Sequence, residues 1–173
     1  HLEAMKQLLH ESIRAGGLGF STSLAYTHSD GDGQPVPSRW STRDEVLDLC
    51  RVVAEHDGTT LELVSDGCLN GFSDDEVELF TDMSLAGQRP VNWNVLTIDS
   101  ARPDDYQHQL ALGDYAAKKG ARVVALTMPV LVGMNMSFRN YCALFMLPDW
   151  GPIMNLPVSE RIEKLRDRET RIF

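Results

Sequence analysis

Polar side chains able to bind or transform a small molecule gather at four places where a short apolar run ends. Ser21, Thr22 and Ser23 are consecutive hydroxyls issuing from the glycine-rich stretch Ala15-Gly16-Gly17-Leu18-Gly19-Phe20. Glu62, Ser65 and Asp66 punctuate Leu61-Glu62-Leu63-Val64, Asn92 and Asn94 alternate with Trp93 and Val95, and Thr127 closes the run that begins at Arg122. A carboxylate at a strand end can take or give a proton, so Glu62 and Asp66 are the candidate catalytic residues. Ser21, Ser23, Asn92, Asn94 and Thr127 are candidate substrate-binding residues. His28 joins them from the polar excursion Tyr26-Thr27-His28-Ser29-Asp30-Gly31-Asp32-Gly33, which Pro35 and Pro37 close.

Side-chain alternation along a strand sharpens this set. In Val91-Asn92-Trp93-Asn94-Val95 the two carboxamides share one face, and Trp93 and Val95 take the other. Polar groups on a buried strand must find hydrogen bonds or line a wet cavity. Asn92 and Asn94 therefore read either as site residues or as a satisfied polar network. Glu62 is flanked by apolar residues of the opposite parity, and either lines a site or pairs with a cation such as Arg122. No two histidines have H-x-H or H-E-x-x-H spacing, so no metal ligand is assigned. Gly31-Asp32-Gly33 lacks the ligand spacing of a calcium loop. Phosphate-loop and G-x-S-x-G signatures are absent as well.

The elements that must hold these residues alternate between helix and strand. Leu2 to Arg14 has a helical apolar stripe that Ala15-Gly16-Gly17 ends, and Gly19 to Ser23 reads as a strand. Thr42-Arg43-Asp44-Glu45 predicts a capping box and a helix ending at Asp57-Gly58, before a strand from Thr60 to Ser65. Ser73-Asp74-Asp75-Glu76 predicts a second box and a helix to Gly87, and a strand from Val91 to Ile98 follows. Pro103 suits the first turn of a helix running to Lys118-Lys119, and Arg122 to Thr127 forms the last strand. The last three strands recur at roughly 30 residues, the length of a βαβ unit, which implies parallel α/β architecture with right-handed crossovers. Residues 130–157, rich in methionine, aromatics and proline, read as an insertion or lid. A final amphipathic helix spans Ser159 to about Arg168.

Composition sets the outer limits. The chain has 173 residues, enough for a sizeable core but short of a complete large α/β barrel. A net charge of −9 argues against a nucleic-acid or anionic-membrane partner, and the basic stretch Arg161 to Arg171 is interrupted by acids and reads as a solvated helix face. No run suits a membrane span or signal peptide, so a cytoplasmic location is expected. The three cysteines, Cys50, Cys68 and Cys142, lie far apart and read as packed thiols.

The run Gly17-Leu18-Gly19-Phe20-Ser21-Thr22-Ser23, then His28, Asp32-Gly33, Val36-Pro37-Ser38, Thr42, Glu45 and Leu47, resembles the D-aminoacylase-like branch of the amidohydrolase superfamily, the N-acyl-D-amino-acid deacylases and their relatives. Leu61 to Asp66, Asn92-Trp93-Asn94-Val95-Leu96, and Leu156-Pro157 leading to Glu160-Arg161 and Leu165-Arg166-Asp167 extend the likeness over essentially the whole chain. The resemblance implies a (β/α)8 TIM-barrel hydrolase that activates water on zinc or another divalent metal and cleaves a C–N bond of a small-molecule amide. This chain would be an internal piece supplying about four βα units of such a barrel, and inactive alone. The histidines that the family places on the strands reading Leu61–Ser65 and Val91–Ile98 are absent, their positions being held by Glu62 or Leu63 and by Trp93 or Asn94. The contrasting expectation is a non-catalytic barrel fragment or binding domain that self-associates into a homo-oligomer through open sheet edges. A doubly wound α/β enzyme also fits the length, without the nucleotide fingerprint.

Overall fold

The computed structural model describes residues 1–30, 34–98, 100–101, 103–128 and 149–170, with positions 130, 133, 135, 137 and 139 between them. The element order is α1 (Leu2–Arg14), β1 (Gly19–Ser23), a 3-10 turn (Pro37–Trp40), α2 (Arg43–Ala54), β2 (Thr60–Val64), α3 (Gly67–Asn70), α4 (Asp74–Gly87), β3 (Val91–Asn94), α5 (Asp105–Lys118), β4 (Val123–Leu126), α6 (Gly151–Met154) and α7 (Val158–Arg166). Two compact units result, one of residues 1–25 and 37–131, the other of residues 26–36 and 132–173.

In the first unit the four strands form one parallel sheet in the order β1-β2-β3-β4. Parallel strands taken in sequence and joined by right-handed crossovers place every connecting helix on the same face of the sheet. The packing agrees. Leu61, Leu63, Val91, Trp93 and Val123 from one sheet face join Val46, Cys50 and Val53 of α2, Leu79, Phe80 and Met83 of α4, and Leu112 and Ala116 of α5 in one core. Leu9 and Ile13 of α1 pack against its margin.

Sequence parity holds on both inner strands. On β2, Leu61 and Leu63 are buried while Thr60, Glu62 and Val64 are half-buried, and on β3 Val91 and Trp93 are buried while Asn92 and Asn94 are half-buried. The helix starts follow their local chemistry. Ser73 accepts from the Glu76 backbone N–H while the Glu76 carboxylate accepts from Ser73, a complete capping box. Thr42 accepts from the Glu45 N–H at 3.2 Å, and Glu45 does not complete the reciprocal bond.

Several boundaries differ from the sequence reading. β3 ends at Asn94 rather than Ile98, because its neighbour β4 offers only four residues of ladder, Val123 to Leu126. Leu96 N–H still donates to the Leu126 carbonyl at 2.7 Å. α5 begins at Asp105, two residues beyond Pro103. His56, expected on a helix, lies in the turn beyond α2. Cys68 is buried in α3, as expected of a packed thiol.

In the second unit α6 and α7 pack together and Met154 is fully buried. Ser29 and Pro35 form an isolated antiparallel bridge. Arg161 departs from the solvated face expected of it. Its guanidinium is buried and donates twice to the Leu156 carbonyl, at 3.0 and 3.3 Å, so it closes the turn into α7 rather than facing water. Half of the expected lid, together with Gly31-Asp32-Gly33 and Cys142, falls outside the described residues.

Candidate functional site

The register of the sheet assembles the sequence candidates into rows. Ser21 pairs with Glu62 and Glu62 with Asn92, so the three side chains lie side by side on the face away from the helices. Ser23 pairs with Val64 one step further along, and Asn94 pairs with Leu126 on the other side. Both steps run toward the carboxyl ends of the strands, where parallel α/β proteins place their ligands.

These side chains are already tied to one another. Asn92 donates from its carboxamide to the Thr60 hydroxyl at 3.0 Å, and Asn94 donates to the Glu62 carboxylate in a short contact. Asn94 therefore fixes where the carboxylate sits. Glu62 makes no ion pair among the described residues, so the alternative of a pairing with a cation such as Arg122 is not formed there. The Ser23 hydroxyl accepts from the Ala25 N–H at 3.4 Å, and Ser21 is exposed. Thr127, beyond the end of β4, donates its hydroxyl to the Leu96 carbonyl at 3.1 Å. His28 lies in the second unit, where its carbonyl accepts from the Val36 N–H at 3.4 Å.

The loop after β2 is organised by a carboxylate that sequence reasoning placed only in a helix cap. Glu76 accepts from the Gly67 N–H at 2.8 Å, and from the Ser73 N–H and hydroxyl at 2.9 Å each. Burial pulls its carboxyl upward, but hydrogen bonds from Ser65, Ser73 and Gly67 outweigh that and hold it below the ordinary carboxylate range. Above them α5 adds a buried clamp, with Gln109 donating to the Cys68 carbonyl at 3.0 Å. Asp66, exposed at the start of α3, is carried on this braced loop.

Because the Glu76 carboxyl is depressed in the folded protein, its contribution is present above the ordinary carboxylate range and is lost as pH falls through the lowered value. Glu76→Ala should cost roughly 1–2 kcal/mol at neutral pH, measured by urea unfolding, and the gap from the parent should narrow on acidification. An equal gap at every pH would remove the carboxylate from this role.

Cys68 accepts from the Ser65 N–H at 3.4 Å, and burial pushes its thiol upward; burial drives the Cys50 thiol up to about 12. Both thiols should resist a thiolate-selective reagent at about pH 8 until denaturant is added, as a timed labelling experiment would reveal. Prompt native labelling of either would contradict the packed reading.

One pair escaped sequence analysis. His10 Nδ1 and His56 Nε2 lie 2.8 Å apart and join the end of α1 to the turn after α2. They are 46 residues apart in sequence, so no spacing rule could have paired them. Two surface grooves among the described residues lie between α1 and α2 and between α4 and α5, and neither is lined by the polar rows.

Among the described residues no three His, Cys, Asp or Glu side chains converge as a metal site. The rows offer one carboxylate, two carboxamides and hydroxyls, without the imidazole or thiolate that zinc prefers. Zinc does not fit these residues alone. No described helix is long and apolar enough to cross a membrane.

Four parallel strands alternating with helices that cover one face of the sheet define an α/β protein. Comparison with family models, curated proteins and solved structures returns no match that would narrow the class.

Proposed function

We propose that this chain forms about four consecutive units of a (β/α)8 barrel hydrolase of the amidohydrolase type, cleaving a C–N bond in a small, N-acyl-amino-acid-like amide in the cytoplasm. The observation that carries the reading is the row Ser21-Glu62-Asn92 on the sheet face that the helices leave open. Sequential strand order supports it, since a barrel is the closed form of a parallel sheet with all its helices outside. The resemblance in Gly17–Ser23 and the segments after it adds the reaction class.

In this reading Ser21, Ser23, Asn92 and Asn94 form one wall of the site and hold the amide through its carbonyl and N–H groups. Thr127 borders the same end of the sheet. Asp66, at the mouth of the loop braced by Glu76, is the carboxylate placed to exchange a proton with the leaving amine. Glu62 supplies a fixed carboxylate deeper along the strand. A metal, where the reaction uses one, would take its ligands from residues other than these, and nothing in the wall requires it to be zinc.

The test is amine release from a panel of N-acyl amino acids and simple amides by the full-length protein, with and without added divalent metals. Hydrolysis that falls at least tenfold in Asp66→Asn would support the assignment. A folded protein without hydrolysis under any of these conditions overturns it.

A second reading rests on the sheet edges. β1 and β4 each have a neighbour on one side only among the described strands, so a second copy could pair with them without any chemistry. A mass equal to one chain by sedimentation would count against this reading, and a dimer without hydrolysis would favour it.

A further inference from the structure

The polar wall carries one carboxylate, Glu62, that no cation among the described residues neutralises. Asn92 and Asn94 each spend one amide hydrogen inside the protein, on Thr60 and on Glu62, which leaves the carbonyl oxygen and the second amide hydrogen of each for a ligand. The only described partner of the Glu62 carboxylate is the Asn94 carboxamide, so an oxygen remains to accept a further bond, with no cation in contact among the described residues. We infer that Glu62, held by Asn94 and flanked by Ser21 and Asn92, selects a substrate bearing a cationic, N–H-rich group such as an ammonium or guanidinium. The inference rests on the hydrolase reading above and gives it a substrate class.

Three features make the carboxylate a selector rather than a solvated charge. Register places it in the middle of a row, between a hydroxyl on β1 and a carboxamide on β3. It is half-buried, so its field is screened less than that of a surface acid. Its rotamer is fixed by Asn94, so a ligand does not have to order it. A free substrate carboxylate beside Glu62 would meet like charge, which disfavours simple anionic acyl amino acids at that position.

The experiment compares two nearly isosteric substrates, Nα-acetyl-lysine and N-acetyl-norleucine, in the full chain and in Glu62→Gln. The glutamine keeps an oxygen to accept from Asn94 and removes only the charge. The parent should favour the lysine compound about tenfold in kcat/KM, and the variant should lose that preference, the KM values of the two compounds becoming alike. A separate binding readout follows the Asn92 and Asn94 side-chain amide signals by NMR as n-butylammonium is added, with n-butanol as the neutral control. Asn92→Asp, whose new carboxylate can accept from Thr60, should strengthen the response to ammonium and serves if Glu62→Gln fails to fold. Hydrolysis without charge preference overturns this inference and leaves the hydrolase reading standing. Ammonium binding lost in Glu62→Gln, with no hydrolysis of either compound, supports the selector and overturns the hydrolase.

Discussion

Trp93→Ala should lower the unfolding free energy by about 3–5 kcal/mol, the largest loss expected from any single truncation in the sheet. The indole is only 1% exposed and sits at the centre of the helix-covered face. The Phe72 ring meets it edge-on at 5.1 Å and 83°, and Phe72 in turn meets Phe80 edge-on at 5.3 Å. Removing the indole strips both the apolar area and the edge-to-face partner of Phe72, and a neighbourhood already filled by Leu61, Leu63 and Met83 has little freedom to collapse into the space. The consequence reaches the opposite face. Trp93 lies between Asn92 and Asn94 on the strand, so anchoring it fixes the direction of both carboxamides. Urea unfolding followed by far-ultraviolet circular dichroism measures the loss, and Trp93→Phe should recover at least half of it. A loss under 1 kcal/mol would mean that the sheet is not held through this residue.

The same residues mark how much the sequence revealed. Parity alone separated Asn92 and Asn94 from Trp93, and Glu62 from Leu61 and Leu63, because alternation is a property of the strand itself. Helix starts were equally local, since Ser73 and Glu76 lie within one turn of each other. What could not be read was any length or partner set from a distance. β3 stops where β4 stops, and Glu62 bonds to Asn94 rather than to Arg122 because register places the amide within reach. Glu76 illustrates the middle ground. Its cap to Ser73 was visible in the spacing, whereas its bond to Gly67, nine residues back, depends on how the loop folds. His10 and His56, and the Gln109 clamp on Cys68, are tertiary events with no local signature. The first rows of the candidate site were thus legible as residue types on a face, and their bonding was not.

Gly19 carries the second large effect, because it is where the glycine-rich stretch becomes structural. Its φ is +144°, a conformation that L side chains rarely adopt, and a Cβ built there would lie 1.9 Å from the Thr60 carbonyl oxygen. That oxygen belongs to the backbone of β2, and the Thr60 N–H is bonded to the Leu18 carbonyl at 3.0 Å, so neither strand can yield without breaking the start of the ladder. Gly19→Ala should therefore cost on the order of 3 kcal/mol, the sum of backbone strain and a clash that has no flexible side chain to absorb it. Gly16 supplies the control. Its φ is +108°, but nothing lies within 4 Å of a Cβ there, so Gly16→Ala should show the strain alone, about 1 kcal/mol. If the two substitutions cost the same, the close approach of β1 to β2 is not what demands glycine. If Gly19→Ala costs far more, amide exchange along Phe20 to Ser23 should quicken in the same variant, since these residues pair with Leu61 to Val64 only after Gly19 has brought the strands together. Ser21 would then leave its place beside Glu62, and any charge preference set by that row should weaken with it.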